Sequence, residues 1–306
     1  MDERPLEGID QMIAWFTKGN KPKADWRIGT EHEKFAFYTD DFSPVPYEGD
    51  RGIEALLKGM QTELGWEAIT DEGRIIGLAG PAGAGAISIE PGGQFELSGA
   101  PLETIHQTCR ESNQHLSAVK NVAKEFGMSF LGTGSSPVWS LAETPVMPKS
   151  RYKIMTNYMP KVGTRGHDMM YRTATVQVNL DFSDERDMQR KLQTSLKLQP
   201  LSSALFANSP FTEGKPNGEL SWRSGVWLDV DNQRGGYHPE MLDPNFGFED
   251  YVKWCLDLPM YFIIRDSKYI DMTHMTFRQF MDGKAAKELP GVHATMGDWS
   301  NHVSTV

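Results

Sequence analysis

The stretch Trp26-Arg-Ile-Gly-Thr-Glu-His-Glu-Lys-Phe-Ala-Phe-Tyr38 alternates polar and apolar residues and reads as a strand, with Ile28, Phe35 and Phe37 as core positions. Period two then puts Glu31 and Glu33 on one face. A second acidic stretch, Ile87-Ser-Ile-Glu-Pro-Gly-Gly-Gln-Phe-Glu-Leu97, resumes the alternation. Pro91-Gly92-Gly93 must interrupt or bulge it, so the facing of Glu90 relative to Glu96 stays open at this level. Ionised carboxylates lose hydration on entering a partly buried surface, and they repel one another. The four glutamates therefore make sense together mainly around metal ions, and Mg2+, with its preference for hard oxygen ligands and phosphates, is the natural candidate.

Outward from these strands, Ile9, Ile13 and Phe16 mark a first helix, and Ile53, Leu56, Leu57, Met60 and Leu64 a second that stops at Gly65. Segments 66–69 and 74–78 read as short strands, and the Gly/Ala run 79–86 as a hairpin connection. Pro101 precedes a long helix whose stripe holds Leu102, Ile105, Cys109, Leu116, Val119, Ala123 and Phe126. Strands are expected at 128–132 and at 171–182, the latter through Val176, Val178 and Leu180, and Ser183 is expected to cap a helix running toward Pro200. Further helices fall at 248–258 and 277–281, with a strand between them at 260–265. Strands in adjacent runs separated by long helices give an α+β chain with a mainly antiparallel sheet.

A chain of 306 residues with a net charge of -10 carries no Lys/Arg excess for holding nucleic acid, so an anionic substrate needs a local basic pocket. The N-terminus shows no basic region before an apolar run, and no segment approaches membrane-spanning length; both point to a cytoplasmic location and no membrane partner. Two cysteines exclude a disulfide framework or a cysteine-rich zinc site. Cys109 is expected as a small buried hydrophobe, and His106 and His115 as exposed or capping residues. No phosphate-loop pattern occurs, and Gly132-Thr-Gly134 lacks the third glycine of a dinucleotide fingerprint. Candidates for the basic pocket are Arg151, Arg172 at the start of a strand, and Arg223, flanked by Trp222 and Trp227, because guanidinium forks hold carboxylates or phosphates bidentately.

Several strings together resemble the plant and alphaproteobacterial type of glutamate-cysteine ligase. They are Ile28-Gly-Thr-Glu-His-Glu-Lys-Phe, Ser88-Ile-Glu-Pro-Gly-Gly-Gln-Phe-Glu-Leu-Ser-Gly, Met147-Pro-Lys-Ser-Arg-Tyr, Arg172-Thr-Ala-Thr-Val-Gln-Val-Asn-Leu, Ala204-Leu-Phe-Ala-Asn-Ser-Pro-Phe and Pro259-Met-Tyr-Phe. The resemblance implies a glutamine-synthetase-like fold, whose curved antiparallel sheet holds Mg2+, ATP and glutamate as a single catalytic domain over 1–306. It implies that the γ-carboxylate of L-glutamate attacks the terminal phosphate of ATP and that the amine of L-cysteine captures the resulting γ-glutamyl phosphate, the first step of glutathione biosynthesis. It further implies Glu31, Glu33, Glu90 and Glu96 as metal ligands, Arg151 and Arg223 as catalytic contacts to carboxylate or phosphate, and Arg172, Gln177, Asn179 and Tyr261 as substrate-binding residues. Members of this type continue past a segment like Trp299-Ser-Asn-His-Val-Ser-Thr-Val, so the chain is expected to be truncated at its C-terminus. The rival readings are a non-catalytic ligand-binding fragment and a related ligase using another amine. Plant members carry a redox-sensitive disulfide whose first cysteine resembles Cys109, but its partner would lie in the region beyond Val306, so no such switch is expected.

Overall fold

The first acidic stretch forms β1 (Ile28–Tyr38), the central strand of a seven-stranded sheet in the computed structural model, which describes residues 2–306. On one side β1 pairs with β5 (Gln94–Ser98), and the sheet continues outward through β4 (Ala86–Ile89), β3 (Arg74–Ala79) and β2 (Glu67–Asp71). Its other side is divided between β6 (Met128–Leu131), paired beside Phe35 to Tyr38, and β7 (Val176–Leu180), paired beside Ile28 to His32. Every pairing is antiparallel, as the sequence suggested.

The second acidic stretch is a hairpin rather than one bulged strand. The Gly93 N–H donates to the Glu90 carbonyl at 2.9 Å, Pro91 pre-sets the turn, and Gly93 closes it at φ +84°. This reversal sets Ser88 opposite Glu96, and Glu96 opposite Glu33. Gly92 has to be glycine for a separate reason: a Cβ there would lie 2.1 Å from the Tyr171 carbonyl oxygen. The run 79–86 is the hairpin connection expected, with Ala79 opposite Ala86.

One face of the sheet is covered by helices. After α1 (Ile9–Lys18), the apolar stripe of α2 (Ile53–Leu64) buries Ile53, Leu56, Leu57 and Met60 and ends where Gly65 turns left-handed at φ +67°. The third helix, α3 (Ile105–Glu125), starts at a capping box between Thr104 and Gln107, three residues later than Pro101 suggested. Together α2 and α3 close a core with Ala36, Ile75, Leu78, Ile87, Ile89 and Phe95. The buried face of α3 differs from the expected stripe: Thr108 and His115 are inside, whereas Ile105 and Cys109 are exposed. The first half of α3 lies over the polar side chain of His32, which the Ser112 hydroxyl approaches at 3.4 Å, so polar residues rather than Cys109 fill that contact.

Further along are α4 (Ser150–Tyr158) and α5 (Gly166–Arg172). Arg172 therefore closes a helix instead of opening a strand; the alternation extrapolated back from β7 begins only at Val176. The next helix, α6 (Glu185–Leu205), is capped by the Asp184 side chain, not by Ser183. The small hairpin β8 (Phe211–Thr212) and β9 (Lys215–Pro216) leads to α7 (Trp222–Val226). A second core joins α1 to α8 (Phe248–Asp257), β10 (Phe262–Arg265), β11 (Lys268–Asp271), α9 (Phe277–Met281) and α10 (Met296–Val303), around Met12, Cys255, Phe277 and Trp299. Arg265 clamps α10 onto β10 with paired 2.7 Å bonds to Asp298, which is fully buried.

Candidate active site

On the sheet face away from α2 and α3, cross-strand pairing gathers the acidic residues. Glu31 lies opposite Ser98 and Gln177, and Glu33 opposite Glu96. Each carboxylate has its own set of donors. Glu31 Oε1 accepts from Gln177 Nε2 at 3.1 Å and from Asn179 Nδ2 at 2.9 Å. Glu33 accepts from the Thr175 N–H at 3.0 Å. Glu96 accepts from the hydroxyls of Ser88 and Ser98, at 2.9 and 2.5 Å. Glu90, at the mouth of the β4–β5 turn, accepts from the Tyr152 hydroxyl at 3.2 Å and faces Lys149 Nζ at 3.7 Å.

Basic groups are brought over this face by long-range contacts. The helix α4 lacks a cap from its own N-cap side chain, and Asp71, from the β2–β3 hairpin, accepts from both the N–H and the hydroxyl of Ser150 instead. That anchor positions Lys149, Arg151 and Tyr152 beside Glu90, where the charges of Lys149 and then Arg151 favour the ionised carboxylate against burial. Arg223 is fixed by its N–H donating to Ser209 Oγ at 3.1 Å and by Gly134, where a Cβ would lie 3.4 Å from Arg223 Cδ. Its guanidinium interacts electrostatically with Glu33, and its Nε has no protein partner.

Burial pushes the Glu33 carboxyl up to about 8, and the neighbouring charges of Glu90 and Glu96 push the same way. Glu90 is raised too, chiefly by burial, although Lys149 opposes the shift. Behind the sheet, Lys34 is pushed down to about 8 by burial, while Glu96 and Glu33 oppose the change. Among the described residues, no three carboxylate, imidazole or thiolate groups converge into a ready-made metal cage. Hard carboxylate oxygens nevertheless fit a cation that takes one or two protein carboxylates and completes its shell with phosphates and water.

The other expected residues are distributed unevenly. Gln177 and Asn179 join the acidic face through Glu31. Arg172 is buried, donates to Asp168 at 3.1 Å and Glu213 at 3.3 Å, and stacks on Trp222 at 5.1 Å, with Nε and Nη2 unpartnered. Tyr261 lies in the apolar cluster that also holds Tyr152, against Tyr158 at 5.5 Å and under the Arg234 guanidinium at 4.0 Å. Sequence reasoning passed over Lys149 and Tyr152, although both lie within two residues of Arg151, and Ser98, although period two sets it on the face of Glu96; Ser88 reaches Glu96 only through the β4–β5 hairpin. A cleft of ≈ 710 Å³ lined by Arg4, Gln11, Trp15 and Phe182 lies along α1, apart from this chemistry.

Carboxylates gathered on an antiparallel sheet, with guanidinium groups fixed beside them, make up the candidate site. The chain belongs to glutamate-cysteine ligase family 2, whose description matches residues 27–306. It is similar to chloroplastic glutamate–cysteine ligase A of Oryza sativa subsp. japonica, at 56% identity over 297 residues, covering 97% of this chain and 59% of the relative. The chloroplastic ligase of Arabidopsis thaliana is likewise 56% identical, over 97% of this chain and 56% of its own length. That of Medicago truncatula is 54% identical over 99% of this chain and 58% of its own. The chain thus spans less than two thirds of these curated relatives. Their names overturn the cytoplasmic location expected from the sequence: all three are chloroplastic. That expectation rested on the first residues of a chain that matches only part of its relatives. No described helix is long and apolar enough to cross a membrane.

Proposed function

We propose that this chain carries the catalytic face of an ATP-dependent glutamate–cysteine ligase working in a plastid, built on a glutamine-synthetase-like sheet. It would join the γ-carboxylate of L-glutamate to the amine of L-cysteine. The observation that carries this reading is the opposition of Arg223 to Glu33 on a face that also holds Glu31, Glu90 and Glu96, in a chain 56% identical to ligases of that name. A free carboxylate is a poor electrophile, so activation as γ-glutamyl phosphate comes first, and the cysteine amine then displaces phosphate. Arg151 and Arg223 hold the substrate carboxylate or the transferring phosphoryl group, stabilising charge as it moves. Gln177 and Asn179 orient Glu31, and Ser88 and Ser98 orient Glu96, so the acidic face is preorganised by its own hydrogen bonds. Glu31, Glu33, Glu90 and Glu96 would hold Mg2+, which when bound neutralises phosphate charge. Incubation with ATP, Mg2+, glutamate and cysteine should yield equal amounts of ADP and γ-glutamylcysteine. Folded protein that forms neither product would sink the proposal, and faster turnover with another amine would reassign the acceptor.

A second reading has support in the exposed faces of β7 and α6 and in the matched share of the relatives: the chain binds ligands without turning them over. Calorimetric binding of ATP-Mg2+ and glutamate without product would favour it.

A further inference from the structure

Lys149 stands beside the acidic face with only 8% of its side chain exposed, and the closest anion paired with its ammonium is Glu90 Oε1, 3.7 Å from Nζ. That separation is too long for a hydrogen bond, although a buried ammonium ordinarily needs short ones. The two oxygens of Glu90 are used differently. Oε2 accepts from the Tyr152 hydroxyl at 3.2 Å, whereas Oε1 faces Lys149. Oε1 is thus the oxygen on which an ammonium and a metal ion would compete.

The backbone that carries Lys149 is fixed, while its head is not. Its N–H donates to the Met147 carbonyl at 3.0 Å, its own carbonyl accepts from the Tyr152 N–H at 3.0 Å, and the next residue, Ser150, is held by Asp71. Nζ and the Arg151 guanidinium both lie over the Tyr152 ring, at 5.4 and 5.3 Å from its centroid. A flexible four-carbon stem on so fixed a root lets a compact ammonium swing without moving α4. Glu90 and Glu96 attract that ammonium, and Arg151 repels it. Mg2+ takes carboxylate oxygens at about 2.1 Å, so an ammonium left 3.7 Å from the same oxygen opposes the metal until further negative charge arrives. Phosphates bring that charge.

We propose that Lys149 is a placeholder cation, which balances Glu90 in the absence of metal and passes to a phosphate of the nucleotide when Mg2+ takes Glu90 Oε1. One side chain thereby couples the two ligands: it disfavours the bare cation and favours cation and nucleotide together. The inference rests on the proposed reading of Glu90 as a metal ligand and of ATP as a substrate.

The test uses Mn2+ as the metal, with free ion counted by electron paramagnetic resonance, and then titrates ATP into protein saturated with Mn2+. Lys149→Met keeps the length of the side chain and removes its charge. It should bind Mn2+ alone at least about threefold more tightly, and ATP in saturating Mn2+ at least about tenfold more weakly. Loss of packing alone does not move the two constants in opposite directions. Lys149→Gln should repeat both changes, and it replaces Lys149→Met if that variant melts early. Any other pattern in a folded variant, with both affinities unchanged or both weakened, overturns the proposal and leaves the reading of the site standing. A wild-type chain that binds neither Mn2+ nor ATP overturns that reading, and the proposal with it.

Discussion

The two ends of β1 have opposite surroundings. Toward Tyr38, the strand and its neighbours press onto α2 and α3, and Leu57, Ile87, Phe95 and Val119 are almost completely buried. Toward Ile28, the strand meets β7, whose five residues are all exposed. Both ends show the same polar-apolar alternation, so the pattern forms a strand in either place, but only helical cover turns one end into a core. The candidate site spans the join: Glu33 and Glu96 sit over the buried half, whereas Glu31 depends on the uncovered strand.

Substitutions should expose this contrast. The largest effect is expected in the covered half, where Phe95→Ala should cost about 3–5 kcal/mol in urea unfolding through lost burial and a cavity. Leu201→Ala on α6 should change stability by less than about 0.5 kcal/mol, and a comparable loss there would break the comparison.

Next comes Glu33, whose effect depends on pH. Its folded-state constant of about 8 lies above the ordinary 4.5, so the folded protein keeps a proton that the unfolded chain releases. Stability is then full below 4.5 and drains away as pH rises through about 8, at about 1.4 kcal/mol per pH unit. Glu33→Gln should therefore raise the melting temperature at pH 8 in chelator while abolishing ligase turnover. Equal melting of the two proteins at pH 8 would show that the acidic face is not strained.

A titration of similar span and opposite sign is expected at His115, buried against Phe95 at 6.2 Å with both ring nitrogens unpartnered. Burial pushes its constant down to about 3, with Lys34 and His32 adding to the shift. Here the folded state excludes a proton that the unfolded chain takes up below 6.5, so stability is lost as pH falls from 6.5 toward 3. His115→Leu should flatten acid unfolding in that window and leave melting at pH 7.5 nearly unchanged. The smallest effect belongs to the uncovered strand: Val178→Thr should leave both melting and far-ultraviolet dichroism as they are.

Much of this was legible in the chain. Alternation across 26–38 is local, so it determined β1 and the shared face of Glu31 and Glu33. The stripe from Ile53 to Leu64 and the stop at Gly65 determined α2 to the residue. The family strings were irregular enough to place the chain by themselves. Other features depended on segments far apart in sequence, and only the folded protein decided them. The Pro91-Gly92-Gly93 turn, packed against the Tyr171 carbonyl, set Glu96 opposite Glu33. The register of α3 over the polar end of β1 brought His115 inside and left Cys109 out. The contacts of Asp71 with Ser150, and of Ser209 with Arg223, carried two arginines to the acidic face. Periodicity reports which side of an element a residue takes, because that follows from backbone geometry within a few residues. What that side meets is set by pairings across the chain, and on those pairings the chemistry of the four glutamates depends.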